Sequence, residues 1–471
     1  MSIIDKNTGL YTDLYQLTMA QGYFKQGVHE KKAAFDYFFR KIPFGGNYVI
    51  FSGIDDVVEL LEKLRFEEED LAFLRKYNFD EGFLDYLKKF SFKGHVHSIR
   101  QGEAVFPNLP LVRVEGSIVE CQLIETLLLN ILNFSTLITT KAARMREAAG
   151  DEIILMDFGM RRAHGSGSIF ASKAAIEGGF NATSHVKAAL DYNIPATGTM
   201  AHSWIQAFHY ELEAFRYFAQ SAPVQPVLLV DTYDTLNSGI PNAIKISKEL
   251  KAEGRELAGI RLDSGDIKSL SFKARKMLDE AGLKEVKIAA SDKVDEYFIE
   301  KMREAKAPID AYGIGTRLVT GQPDANLDGV FKLAYFDSEP RLKVSDDPEK
   351  TTLPGLKQLG RFKNPENGEA VGDVAMLEDE EKPRYARDIK DYYDNRDFEG
   401  YAFEKLLKPV MQNGERVTTF DYPAEVSAYS RERIHSLPPK IQSLLRKPTA
   451  YFAGMSNALQ EMRADLIKNS P

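Results

Sequence analysis

Between residues 153 and 316, short apolar runs alternate with longer segments whose apolar residues recur at helical spacing, and each run ends in polar residues. The runs 153–158, 180–183, 195–199, 226–230, 260–262, 286–290 and 311–314 read as strands, and the segments 242–253, 268–281 and 294–305 as amphipathic helices between them. A unit of strand, polar tip and helix, repeated about seven times, predicts an α/β fold: an irregular β/α barrel, closed or nearly so. Such a barrel gathers its active site at the carboxyl ends of the strands, where loops from many strands converge on one axis. The polar tips all fall on that face: Asp157, Asn181 with Thr183 and Ser184, Thr199 with His202 and Ser203, Asp231 with Thr232, Asp263-Ser264-Gly265-Asp266, Ser291 with Asp292, and Gly315-Thr316.

Asp, Ser, Thr and Asn after a strand are also the usual caps of the helix that follows, so any one tip reads equally well as a cap. Capping does not account for the Arg161–Arg162 pair, for Arg261 one residue inside a strand end, or for Gly313-Ile314-Gly315-Thr316 after the last strand. Together these describe a pocket with cationic, acidic and phosphate-accepting elements.

The flanks have a different texture. Thr12 is placed to cap a helix through Leu14, Leu17, Met19 and Tyr23, residues 32–39 alternate as a strand, and 51–64 and 67–76 read as helices. Short strands follow at 92–99, 103–106 and 111–114, then a long helical connector over 117–148. Beyond the barrel come a strand at 331–336, a charged loop-like segment at 337–363, a hairpin turn at 364–368, short strands around Asn413-Gly414, and a helix at 423–445. The expected division is an amino-terminal α/β domain over 1–116, the barrel with its leading helix over 117–330, and a carboxyl-terminal segment over 331–471 that returns to complete the smaller α/β domain and wall the barrel mouth.

With 471 residues, 44% hydrophobic and 28% charged, the chain suits two or three folding units of an ordinary globular protein. A formal net charge of −8 argues against nucleic acid as a partner. Cys121 is the only cysteine, which excludes an intramolecular disulfide and a cysteine-based metal site and fits a reducing compartment. No signal peptide or membrane span is apparent, so a cytoplasmic location is expected.

Arg261 and Asp263 are two residues apart on one strand and therefore share a face. The two carboxylates flanking Gly265 can bind sugar hydroxyls or hold Mg²⁺ through water. Gly313-Ile314-Gly315-Thr316 lacks the lysine of a Walker loop and the third glycine of a dinucleotide fingerprint. After a last barrel strand it suits a monophosphate held by backbone N–H groups. His202 has no second histidine at ligand spacing, so its place on the catalytic face points to a nucleophile or general base.

The chain resembles the nicotinate phosphoribosyltransferase family in six ordered motifs: TDLYQLTM at 12–19, DFGMRRAHG at 157–165, GTMAHSW at 198–204, RLDSGD at 261–266, ASDKVDE at 290–296 and YGIGTRLVT at 312–320. The resemblance implies that nicotinate is joined to the ribose of phosphoribosyl pyrophosphate, giving nicotinate mononucleotide and pyrophosphate in NAD biosynthesis, with ATP hydrolysis coupled through phosphorylation of His202. It further implies that Phe158 and Tyr15 sandwich the pyridine ring, Tyr15 coming from the partner subunit of a homodimer. Arg261 and Thr199 would meet the nicotinate carboxylate, Asp263 and Asp266 the ribose and Mg²⁺ side, and Arg161 the pyrophosphate. Ser291 joins the phosphoribosyl pyrophosphate side, and Gly313, Gly315 and Thr316 take the 5-phosphate. Direct metal ligands stay open. Ser184 stands where the nicotinamide-using relatives carry an acidic residue, which favours the acid as substrate over the alternatives, a nicotinamide enzyme or a non-catalytic pyridine-nucleotide sensor.

Overall fold

The computed structural model describes residues 8–344, 351–391 and 393–469. The chain forms two compact units, one from residues 1–140 and 324–471, the other from 141–323. The long connector is broken at Ile124 into helices Ile118–Leu123 and Glu125–Ala149, and the second of these runs through the first unit boundary. Ser117 and Glu120 close a reciprocal capping box at its start.

The second unit is the β/α barrel. Its strands are β1 (Ile154–Asp157), β2 (Ala182–Thr183), β3 (Val227–Leu229), β4 (Gly259–Leu262), β5 (Lys287–Ala290) and β6 (Ala311–Ile314). They lie in the order β2-β1-β6-β5-β4-β3, and every pairing is parallel. The strand expected at 195–199 is reduced to one parallel bridge, Ala196 with Thr183. Pro195 has no N–H to give and Gly198 follows closely, so the ladder stops after one step. Six strands and a bridge thus make a curled, irregular barrel, and among the described residues no ladder joins Ala196 to β3. Helices Gly167–Glu177, Ile240–Ala252, Ile267–Glu280 and Glu296–Glu304 return the chain between strands. Inside this unit Lys141 and Arg144 both bind the buried Glu296, at 2.6 and 2.9 Å, a charge cluster that tethers the end of the long helix to the helix after β5.

The first unit holds a seven-stranded antiparallel sheet in which Lys32–Phe39 lies between Val112–Ser117 and Gly329–Phe336. That strand spans the residues its pattern predicts, and it is covered on both faces rather than one. A second sheet of six strands is built from residues after 356, and the segment expected as a loop up to 363 ends in its strand Lys357–Lys363. The rest of that segment includes residues 345–350, outside the described residues. The turn at 364–368 joins this strand to Ala370–Leu377 as an antiparallel hairpin. Thr12 does not cap the first helix, Leu14–Lys25; Asp13 stands at the cap position and the Thr12 hydroxyl donates to the Leu123 carbonyl, 3.2 Å away. The helix expected over 423–445 stops at His435, and a last helix, Asn457–Lys468, was not among the expected elements. No described helix is long and apolar enough to cross a membrane.

Candidate active site at the barrel mouth

The strand tips divide into two kinds. Asp266, Asp295 and Asp234 accept hydrogen bonds from the first N–H groups of the helices they precede, from Ser269, Phe298 and Leu236 respectively, as caps do. Asp231 and Asp263 cap nothing. Asp231, buried after β3, accepts from the Asp263 N–H at 2.8 Å and from the Ser264 hydroxyl at 2.6 Å on one carboxylate oxygen. Its other oxygen, Oδ1, is buried without a partner among the described residues. Asp263 takes the Ser291 hydroxyl on Oδ1 and faces His202 Nε2 with Oδ2, 3.6 Å away. The opposite ring nitrogen of His202, Nδ1, lies 3.1 Å from the Thr232 hydroxyl. Three strand ends and the start of the short helix His202–Gln206 therefore meet on one constellation of two carboxylates, an imidazole and three hydroxyls.

Beside it Arg261 donates from Nη1 to the Thr199 hydroxyl, and its Nε is buried with no partner among the described residues. Burial pulls the Arg261 guanidinium below its ordinary pKa, Asp263 and Asp231 oppose that shift, and Arg161 adds to it. A cation so enclosed, with an unused donor, suits an incoming anion that can satisfy it.

Opposite Arg261 in the strand order, β1 and β6 carry an aromatic floor. The Phe158 ring lies against Gly313, where a Cβ would come within 2.5 Å of it, so the glycine is what admits the ring. The Phe158 N–H donates to the Ile314 carbonyl at 2.8 Å. Asp157 holds this corner: it accepts from the Ser172 and Thr183 hydroxyls at 2.7 Å each and from the Gly159 N–H at 2.8 Å. Its own carbonyl accepts from the Ser184 N–H at 2.8 Å, which fixes half-buried Ser184 beside the end of β1. Arg161 is exposed in a short turn just past Phe158. Gly315 and exposed Thr316 open the helix Thr316–Val319.

The sequence-predicted residues Phe158, Thr199, His202, Arg261, Asp263, Ser291, Gly313 and Gly315 thus come together within one unit. Asp266 serves its helix as a cap and is exposed. Tyr15 belongs to the first unit, on the helix Leu14–Lys25; the residue is 53% exposed and its hydroxyl accepts from Gln16 Nε2 at 2.9 Å. Asp231 was visible only as one tip among many, since sequence does not separate a capping aspartate from one that holds a neighbouring strand end. A metal-competent group of His97, Glu115 and Glu378 lies in the first unit. Arg113 already occupies it, 2.9 Å from Glu115 and paired with Glu378, and burial together with Arg113 drives His97 down to about 4.

Comparison with known proteins extends these observations. The nicotinate phosphoribosyltransferase N-terminal domain model matches residues 10–133, and the C-terminal domain model of the same family matches 356–463. The nicotinate phosphoribosyltransferase of Bacillus subtilis is 45% identical over 80% of this chain and 78% of its own length. That of Caenorhabditis elegans is 32% identical over 98% of this chain and 94% of its own length. The crystal structure of human nicotinic acid phosphoribosyltransferase superposes with a TM-score of 0.86, at 28% identity, covering 97% of this chain and 99% of that one.

Proposed function

The chain belongs to the nicotinate phosphoribosyltransferase family, and we propose that it forms nicotinate mononucleotide and pyrophosphate from nicotinate and phosphoribosyl pyrophosphate, with ATP hydrolysis coupled through His202. The observation that carries the choice of base is Arg261, a half-buried guanidinium whose buried Nε is unsatisfied among the described residues, beside Thr199 and with two strands between its own and the one that ends at Phe158. A pyridine ring on Phe158 with its carboxylate on Arg261 and Thr199 uses each of these groups. Ser184 adds no negative charge near that carboxylate.

In the reaction the ring nitrogen of nicotinate attacks C1 of the ribose, the bond from C1 to the pyrophosphate oxygen breaks, and pyrophosphate leaves with the electron pair. Asp263, held by the Ser291 hydroxyl, sits by the ribose, where its charge stabilises a developing oxocarbenium ion. Arg161 supplies a cation on the pyrophosphate side, and the backbone N–H groups around Gly313, Gly315 and Thr316 receive the 5-phosphate. Asp266, expected on the ribose side, contributes chiefly by ordering the helix it caps. A divalent cation fits the same carboxylates: Asp231 Oδ1 is buried and unpartnered next to Asp263, an oxygen donor set of the kind Mg²⁺ takes. Mg²⁺, when bound, neutralises charge on the leaving pyrophosphate.

The working unit in this reading is a cytoplasmic homodimer. Leu14, Tyr15 and Met19 leave an apolar, aromatic helix face exposed, which supports Tyr15 of the partner subunit as the second face over the pyridine ring. Tyr15→Ala and Asp263→Asn dimers, unfolded together and refolded, should regain about half of a wild-type dimer's activity per heterodimer, by site counting. No recovery in heterodimers confirmed by mass contradicts the shared site. The reaction itself is tested by incubating the protein with nicotinate, phosphoribosyl pyrophosphate and Mg²⁺, with and without ATP. Nicotinate mononucleotide and pyrophosphate in equal amounts, raised by ATP, are the expected result; no mononucleotide under either condition refutes the assignment.

A further inference from the structure

Ser184 lies in a short segment that one buried hydroxyl holds from both sides. Thr183 ends β2 opposite Asp157 at the end of β1, and its hydroxyl donates to Asp157 Oδ2 at 2.7 Å. The same hydroxyl accepts from the His185 N–H at 3.0 Å, which curls the chain around Ser184. The Ser184 N–H is taken by the Asp157 carbonyl at 2.8 Å. His185 is fixed in turn: Nδ1 accepts from the Ala188 N–H at 3.4 Å, and Nε2 lies 3.2 Å from the Ser168 hydroxyl. Thr183 and Asp157 have no exposed surface, so they act on a ligand only through their neighbours.

Phe158 is held by the same carboxylate. Asp157 Oδ1 accepts from the Gly159 N–H at 2.8 Å, which turns the chain directly after Phe158. At Gly159 a Cβ would fall 2.0 Å from the Val319 side chain, so this turn packs closely on the helix Thr316–Val319. The donors to Asp157 are all neutral and stand on two sides: Gly159 on Oδ1, Ser172 and Thr183 on Oδ2. Both oxygens must therefore accept. An amide in its place offers one accepting oxygen, and its NH₂ would face a donor on the other side.

We infer that Thr183, through the Asp157 carboxylate, is a positioning residue that fixes Ser184 relative to Phe158 and so sets the discrimination between the pyridine carboxylate and its amide. The inference rests on the nicotinate site proposed above. There Phe158 sets the plane of the ring and Ser184 the character of the wall near its substituent, and the two are joined through one buried carboxylate. Without the Thr183 hydroxyl the His185 N–H loses its acceptor, Asp157 Oδ2 keeps only Ser172, and Ser184 is no longer held at one distance from the ring. The ribose side depends on Asp263 at the end of β4, which this network does not touch.

The test compares wild type with Thr183→Val, which keeps the shape without the hydroxyl, Thr183→Ala, and Thr183→Ser, which keeps the hydroxyl. KM is measured separately for nicotinate and for phosphoribosyl pyrophosphate, and the ratio of the two mononucleotides is read when nicotinate and nicotinamide compete at equal concentration. Thr183→Val and Thr183→Ala should raise KM for nicotinate about tenfold, leave KM for phosphoribosyl pyrophosphate in place, and move the product ratio about tenfold towards the amide. Thr183→Ser should restore both KM and ratio. The ratio is set by active enzyme alone, so a low yield of one folded variant does not alter it. A ratio unchanged in the Val and Ala variants, a KM that rises equally for both substrates, or a Ser variant that behaves like Val overturns the inference while leaving the nicotinate site in place. A wild type that makes no nicotinate mononucleotide removes that site, and this inference with it.

Discussion

Ser184 is half-buried, and its N–H is fixed to the Asp157 carbonyl, so a substitution there keeps its place at the mouth. Asp in its position would set a second carboxylate against that of nicotinate in a partly desolvated pocket. Ser184→Asp should therefore cost nicotinate about 1–3 kcal/mol in kcat/KM while leaving the neutral amide unpenalised. Steady-state kinetics on both bases read this; an equal loss for the two would show that the change damages the site rather than its charge selectivity. Chemistry at this level was readable wherever a residue type had no structural excuse. Arg261, a cation inside a strand end, and His202, a histidine at a tip, both stood out as candidates on that ground. Asp231 and Thr232 did not, because aspartate and threonine at a strand end are ordinary capping residues and only the folded chain shows what they bind.

Among the elements, the strands at 32–39 and 311–314 coincide with their patterns to the residue, since each is a compact apolar run bounded by polar or turn residues. The run at 195–199 looked the same in sequence, yet Pro195 limited it to one bridge. The last helix carries its signal in Ser456, whose hydroxyl accepts from the Leu459 N–H, and in Leu459, Met462 and Leu466 at helical spacing, but a short segment after a run of strands is easily read as more of the same. The packing of β1 on β6 yields a sharper prediction. A methyl group at Gly313 would stand 2.5 Å from the Phe158 ring, which must tilt to admit it. Gly313→Ala should lower kcat/KM for nicotinate by about ten- to a hundredfold through misplacement of the base, with little change in melting temperature. An unchanged kcat/KM would show that the base does not lie on Phe158.

For the molecule as a whole, the joining of distant chain segments into the first unit was expected, but its means were hidden. Buried Arg361 binds Asp373 at 2.7 Å and pairs with Glu103, and Arg433 reaches Glu103 at 2.7 Å, so residues before the barrel are tied to residues after it through charges no local pattern reveals. Arg361→Met removes the cation that two buried carboxylates share, leaving Glu103 to Arg433 and Asp373 to the Tyr451 hydroxyl, and should cost about 3–5 kcal/mol of stability, visible in chemical denaturation. Burial pushes the Glu103 carboxyl up, but Arg361 and Arg433 outweigh it and hold the group below its usual 4.5. A depressed folded pKa means that its stabilising contribution is complete above pH 4.5 and is lost as pH falls through the folded value. Removing Arg361 should therefore move the acid-unfolding midpoint to higher pH; a midpoint that stays put would place the acid sensitivity elsewhere. The proposed reaction turns on one chemical choice, the acid form of the pyridine base. The decisive measurement is an internal competition in which nicotinate and nicotinamide at equal concentration share one pool of phosphoribosyl pyrophosphate, with ATP present, and the two mononucleotides are quantified by mass. Nicotinate mononucleotide should predominate by at least about tenfold if the base lies against Arg261 as proposed, since a charged carboxylate pairs with a guanidinium more strongly than a neutral amide does; equal amounts of the two products, or an excess of nicotinamide mononucleotide, would contradict the account.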